Sequence, residues 1–238
     1  MLFIRSLLFN ILFMLATVVF SLLMLIFRVF GFKASWFLAR AWSGLTFALL
    51  RLICGIRLEV EGREHFPVEA CVVMAKHQSA AETIAMPILV PPYVWILKRN
   101  LLYIPIFGWA LAVIGTIAIR RGNPREAIKQ VIQQGTGFLE RNRWVVIFPE
   151  GTRTSPGVPG NYQPGGIVLA HKAEAGILPM AHNAGVCWPK RGFIKKPGTI
   201  RVRFLPYIPA EEVASTKRSE LLARLKKDIE AATTELGG

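Results

Sequence analysis

The amino-terminal part of the chain has no amphipathic period. From Ser6 to Phe27 it carries no charge, and only Ser6, Asn10, Thr17 and Ser21 interrupt the apolar run. A helix of that length at ~1.5 Å per residue reaches ~33 Å, enough to cross a hydrocarbon core. Arg5 precedes the run, and Arg28 and Lys33 follow it. A cleaved signal peptide is the alternative, because Ala39-Arg40-Ala41 loosely fits a small-residue cleavage site. The run is longer than an ordinary signal core and the site lies well beyond it, so an uncleaved anchor is expected. The next stretch, Ala34 to Cys54, is apolar with Arg40 and Arg51 on one helical stripe. Trp36 and Trp42 suit the headgroup level. This predicts a second helix, lying in the interface or returning as a tilted hairpin, with a helix packed on the rest of the fold as the alternative.

From Arg57 onward the pattern changes to short β-rich runs alternating with helical ones. Expected strands are Arg57–Glu61, Ala70–Lys76, Tyr93–Lys98, Gly115–Arg120, Trp144–Phe148, Ile177–His182 and Ile200–Leu205. Expected helices are Ala80–Leu89, Pro124–Arg141, Gly165–Ala175 and Glu211–Leu236, the second with Asn123 as N-cap and Pro124 at its first turn. Such alternation predicts an α/β fold, a mostly parallel β-sheet flanked by helices and preceded by an amino-terminal membrane-anchoring helix pair. Two parts follow: residues 1–56 as anchor and 57–238 as a catalytic domain. Pro179 inside a strand predicts an edge or a bulge.

Composition narrows the partners. The chain of 238 residues has 29 Lys+Arg against 15 Asp+Glu, a formal net charge of +14, and is 53% hydrophobic. A positive field favours lipid headgroups, nucleic acid or phosphorylated and acidic partners. Basic residues interleaved with exposed aromatics are missing, so no nucleic-acid partner is expected. Cys54, Cys71 and Cys187 are odd in number and widely spaced. With no Cys-x-x-Cys, His-Glu-x-x-His or Gly-x-Ser-x-Gly, neither a metal site nor a serine elbow is expected. Cysteines of this kind suit a reducing compartment, most simply the cytoplasm.

The chemistry gathers at the strand ends. His77 follows the second expected strand, Lys98 ends the third, Arg120 the fourth, Glu150–Arg153 follow the fifth and His182 ends the sixth. In open parallel sheets, ligands bind outside the carboxyl ends of the strands. A neutral, correctly turned His77 can take a proton from an alcohol, and Glu82 can fix its tautomer and stabilise the imidazolium. Ser79-x-x-Glu82 is equally a capping box, in which Glu82 serves the helix terminus instead. In Phe148-Pro149-Glu150-Gly151-Thr152-Arg153, Gly151 lets amides approach an anion, Thr152 adds a hydroxyl and Arg153 a fork for phosphate. An ordinary turn with a solvated arginine reads the same way. Leu101–Leu111 is either an acyl-accepting wall or plain core, and His182 is a structural histidine or a substrate contact. The acid-free basic tract from Lys190 to Arg203 reads as lipid-facing or solvated surface.

Four blocks stand in order: His77-x4-Glu82, Gly115–Gly122, Phe148–Arg153 and Leu178–Ala181. Together they resemble the glycerolipid acyltransferase family, which includes the 1-acylglycerol-3-phosphate (lysophosphatidate) acyltransferases, over about Arg57 to Phe204. The Lys98 and Ile104–Trp109 segment resembles that family too. The carboxylate here is Glu82, where most of the family has aspartate; the block is similar to that of a bacterial subgroup. Asn100 stands where many members are acidic. The resemblance implies transfer of a fatty acyl group from acyl-CoA or acyl-carrier protein to lysophosphatidate, giving phosphatidic acid for phospholipid biosynthesis. It implies His77 and Glu82 as the catalytic pair and Arg153, Arg120 and Lys98 as phosphate ligands. Glu150, Gly151 and Thr152 form the expected oxyanion and substrate loop. No cofactor is expected beyond the thioester co-substrate, and the expected place is a bacterial inner membrane with the catalytic part facing the cytoplasm. A different lysolipid acceptor or a non-catalytic membrane scaffold are the alternatives.

Overall fold

Four strands lie at the centre because their residues are apolar on both sides, which suits a sheet covered on both faces. In the computed structural model, which describes residues 1–119 and 124–238 except the side chains of Pro124 and Arg125, the sheet has seven strands. They are β1 (Ile56–Glu61), β2 (Val72–Ala75), β3 (Tyr93–Lys98), β4 (Thr116–Ile119), β5 (Trp144–Ile147), β6 (Ile177–His182) and β7 (Gly198–Phe204). Their order is β1-β7-β6-β2-β5-β3-β4, and every neighbouring pair is parallel except β6 with β7. Five strands therefore send their carboxyl ends to one edge, where His77, Lys98, the Phe148 turn and His182 all emerge. Arg120 and Arg121 lie outside the described residues, so the expected contribution of Arg120 has no structural counterpart here.

Alternation along the strands sorts two layers. Val73, Ala75, Trp95, Val146 and Met180 face α1 (Leu2–Phe27), α2 (Phe32–Leu49), α3 (Ala81–Leu89) and α4 (Phe107–Ile114). Val72, Met74, Val94, Val145 and Ile177 face α5 (Pro124–Leu139), α6 (Gly165–Lys172), α8 (Ala210–Ser215) and α9 (Arg218–Glu235), while the short α7 (Ala184–Cys187) follows β6. The first core is continuous with Phe9 of α1 and with Trp36, Ala39 and Phe47 of α2. Helix α1 turns Ser6, Phe9, Ala16, Ser21 and Met24 inward, while Ile4, Leu8, Ile11, Met14, Leu15 and Val18 stay exposed. The stretches Leu2–Phe30 and Phe32–Cys54 are each long and apolar enough to cross a membrane. Arg40 and Arg51 are both exposed, as one basic stripe requires.

Four expectations change. Helix α4 is a helix of its own, entered through Ile106 at φ 65°. The expected helix Glu211–Leu236 breaks at Thr216, whose backbone is extended, into α8 and α9. Pro179 sits in an interior, fully buried strand instead of at an edge. It accepts from the Leu205 N–H at 2.9 Å beyond the last β6–β7 ladder pair, and the ring removes only the return bond there.

The basic tract from Lys190 to Arg203 is not uniformly solvated. Lys195 is buried, its Nζ donating to Asn10 Oδ1 (2.8 Å) and the Phe193 carbonyl (2.9 Å), 4.5 Å from the Trp188 ring centre. Its backbone N–H donates to Ser6 Oγ. The tract thus clasps the start of α1. Arg203 pairs with Glu61 and Glu235.

Candidate active site

The end of β2 has to turn into α3 within a few residues, and that turn builds a histidine–carboxylate pair. His77 Nδ1 and Glu82 Oε1 are 2.8 Å apart, with the His77 side chain 16% exposed and the Glu82 side chain fully buried. The same oxygen accepts from the Ser79 N–H (3.0 Å) and the Gln78 N–H (3.3 Å). Ser79 Oγ in turn accepts from the Ala81 N–H. Cap and pair, alternatives in the sequence, are one arrangement: the helix-end amides hold the carboxylate that faces the imidazole. Burial pushes the Glu82 carboxyl up, but the His77 hydrogen bond, the nearby histidines and the Ser79 N–H outweigh it and leave it below the ordinary range.

His77 is fixed on all sides but one. Phe148 stacks on the imidazole with ring centres 4.0 Å apart. The His77 N–H donates to Glu150 Oε1 (2.8 Å), and the His77 carbonyl accepts from the Thr154 N–H (2.8 Å). With Nδ1–H given to Glu82, the tautomer leaves an Nε2 lone pair that no described residue engages. Behind the loop, His182 is fully buried. Its Nε2 donates to the Lys76 carbonyl (2.7 Å) and its Nδ1 accepts from the Ala184 N–H. Burial lowers its pKa despite the opposing pull of Glu82 and the Lys76 carbonyl, so it is a neutral structural group.

One cavity of about 450 Å³ joins the expected residues. His77, Lys98, Gly151 and Arg153 line it together with Phe13 and Met24 of α1, Trp42 of α2, Trp95 of β3 and Leu111 and Ile114 of α4. The Leu101–Leu111 segment therefore does supply cavity wall, through Leu101, Phe107, Ala110 and Leu111. Thr152 and Glu150 do not line it. Within that loop Glu150 is buried and faces the His77 N–H and Lys76, so its carboxylate accepts from behind the turn. Gly160 packs so tightly on it that a Cβ would come 2.2 Å from Glu150 Oε2. Gly151 turns at φ 64°, and its own N–H donates to the Phe148 carbonyl. Sequence reasoning missed Lys76 as a site residue, although a lysine closing an all-apolar strand needs a buried counter-charge.

A histidine–carboxylate pair and two cations thus meet an apolar cavity walled in part by two membrane-compatible helices. The chain belongs to the Acyltransferase family, whose profile matches residues 57–183. It is 42% identical over 209 residues to a 1-acyl-sn-glycerol-3-phosphate acyltransferase of Pseudomonas aeruginosa, covering 87% of this chain and 81% of that one. A human 1-acyl-sn-glycerol-3-phosphate acyltransferase alpha is 31% identical over 185 residues, 76% of this chain and 65% of the human one. The fold is shared with the crystal structure of the 1-acyl-sn-glycerophosphate acyltransferase PlsC of Thermotoga maritima, with TM-score 0.82 and 21% identity over 100% of this chain and 98% of that one.

Proposed function

We propose that this enzyme transfers a fatty acyl group from an acyl-CoA or acyl-carrier-protein thioester to the free hydroxyl of 1-acylglycerol-3-phosphate, giving phosphatidic acid. The observation that carries this reading is the 2.8 Å His77–Glu82 contact beside a largely apolar cavity that His77 lines with Arg153 and Lys98. His77 Nε2 takes the hydroxyl proton as the oxygen attacks the thioester carbonyl. The tetrahedral intermediate collapses with loss of the thiolate, which recovers that proton from the imidazolium. Arg153, Lys98 and Arg120 hold the acceptor phosphate, and donors of the Gly151–Arg153 loop meet the oxyanion. Fatty chains occupy the apolar length of the cavity. The reaction draws on the thioester as co-substrate and needs no further cofactor.

Residues 1–56 serve as the membrane anchor and 57–238 as the catalytic part. The exposed apolar face of α1 supports seating in lipid, so the acceptor hydroxyl travels little from the bilayer. Three free, buried cysteines fit a catalytic part on the cytoplasmic side of a bacterial inner membrane. The test is thiol release by detergent-purified protein given lysophosphatidate with acyl-CoA or acyl-carrier protein, and then other lysolipids. Turnover with lysophosphatidate that disappears in His77→Ala is expected. Undiminished turnover in His77→Ala overturns the mechanism, and turnover only with another lysolipid overturns the acceptor.

A further inference from the structure

Lys76 precedes His77 at the end of β2 and is only 1% exposed. An ammonium there requires compensation, and two carboxylates supply it from distant parts of the chain. Nζ lies 3.1 Å from Glu150 Oε2 and 2.7 Å from Glu230 Oε1. The other oxygen of Glu150 takes the His77 N–H at 2.8 Å. Glu230 stands on α9, beside the buried stripe Leu221, Leu225, Ile229 and Ala232 that docks this helix. A continuous line of charge-assisted bonds thus runs from the carboxy-terminal helix to the backbone of the histidine. Lys76 and Glu230 line a second cavity, of about 170 Å³, with Gln78 and Thr233, and of the line only His77 reaches the apolar cavity.

We propose that Glu230 is a positioning residue for the acyl transfer, acting on His77 through Lys76 and Glu150. The proposal rests on the reading of His77 as the base. With three donors and two carboxylates, Lys76 has its direction set by Glu230; that holds Glu150 with Oε2 on the ammonium and Oε1 on the His77 N–H. Without Glu230, Glu150 can rotate and the imidazole loses its registry against an attacking hydroxyl. Positioning of this kind affects the chemical step more than ground-state binding.

The experiment compares steady-state kinetics of wild type, Glu230→Gln, Glu150→Gln and the double variant in the same detergent, with lysophosphatidate and acyl-CoA or acyl-carrier protein. Wild-type turnover that His77→Ala abolishes is the first arm, and its failure removes the functional reading itself. Given that turnover, Glu230→Gln is expected to lower kcat about tenfold, about 1.4 kcal/mol in the barrier, with the KM of both substrates within twofold of wild type. On a Glu150→Gln background the same change should cost less than about twofold, because the line is already cut. Glu230→Asp, which keeps the charge, should retain more activity than Glu230→Gln at equal thermal stability. Wild-type kcat in Glu230→Gln, a full additive loss in the double variant, or a rise in KM alone would each overturn the proposal. If Glu230→Gln does not fold, Glu230→Asp carries the test, with about a threefold loss in kcat at unchanged KM expected and wild-type kcat refuting it.

Discussion

Replacing Glu82 by glutamine separates the two tasks of that side chain. Glutamine keeps an acceptor oxygen where Glu82 Oε1 now takes the His77 Nδ1–H, the Ser79 N–H and the Gln78 N–H, so the cap survives while the charge is lost. With charge centres about 4 Å apart and an effective dielectric near 20, a carboxylate stabilises an adjacent imidazolium by about 4 kcal/mol. The amide dipole retains part of that, which leaves a loss of about 3–4 kcal/mol and a kcat lower by about 10²–10³-fold. The fold should survive with a loss of stability at neutral pH that comes from the charge and not from the cap, because Glu82 Oε2 is buried without a partner already and the new NH₂ inherits that position. Glu82→Ala removes the cap as well and should cost a further ~1 kcal/mol or so of stability. The assay is thiol release with lysophosphatidate, run beside thermal unfolding of the same detergent preparations. Activity of Glu82→Gln within fivefold of wild type would mean the carboxylate is a helix cap and nothing more.

Arg153→Ala should raise the KM for lysophosphatidate by about 10–100-fold, the worth of a charged phosphate contact of about 1.5–3 kcal/mol, and leave the KM of the thioester near wild type. Acidification tests Glu82 from another side: its folded carboxyl lies below the ordinary range, so its contribution is complete above about pH 5 and is lost as pH falls toward the folded value. The difference in unfolding temperature between wild type and Glu82→Gln should accordingly be largest at neutral pH and shrink on acidification; a pH-independent gap refutes the linkage. Lys195→Met strands Asn10 Oδ1 and frees the start of α1, which should cost about 1–3 kcal/mol and lower the unfolding temperature by several degrees. Ala110→Leu fills part of the cavity wall and should move the preferred thioester toward shorter chains, each lost CH₂ being worth about 0.8 kcal/mol, read from competition between acyl-CoA lengths.

All seven strands were legible: the central ones are short apolar runs that need no polar face, while β1 and β7 alternate apolar with polar or charged positions. The candidate edge followed from the parallel arrangement: once β2, β3, β5 and β6 run the same way, His77, Lys98, Arg153 and His182 must emerge together. Helix α4 was not legible. Pro105 and Gly108 argue against a helix, yet Gly108 is there for packing, since a Cβ would lie 2.4 Å from the Leu102 carbonyl oxygen. The break between α8 and α9 had only a weak signal, the Ser215-Thr216 pair, whose side chains compete with the helical backbone. Lys195 was hidden for another reason: a tract of six basic residues without an acid looks solvated, and only the fold brings Asn10 and Trp188 to one of them.

The two readings of Glu82 were not separable in the sequence because spacing encodes both at once. A carboxylate three residues after Ser79 reaches the helix-end amides, and five residues after His77 it reaches the imidazole; a single oxygen does both. That economy bears on the departure from aspartate. A shorter side chain at position 82 would have to give up either the amides or the imidazole unless the turn moved inward, whereas the extra methylene lets the helix terminus keep its cap. The turn itself is then held from behind, by Glu150 on the His77 N–H and Thr154 on the His77 carbonyl. Local helix chemistry orients the pair, and distant strands and helices fix the loop that carries it, which is why the residues of the pair could be read from one segment and their supports could not.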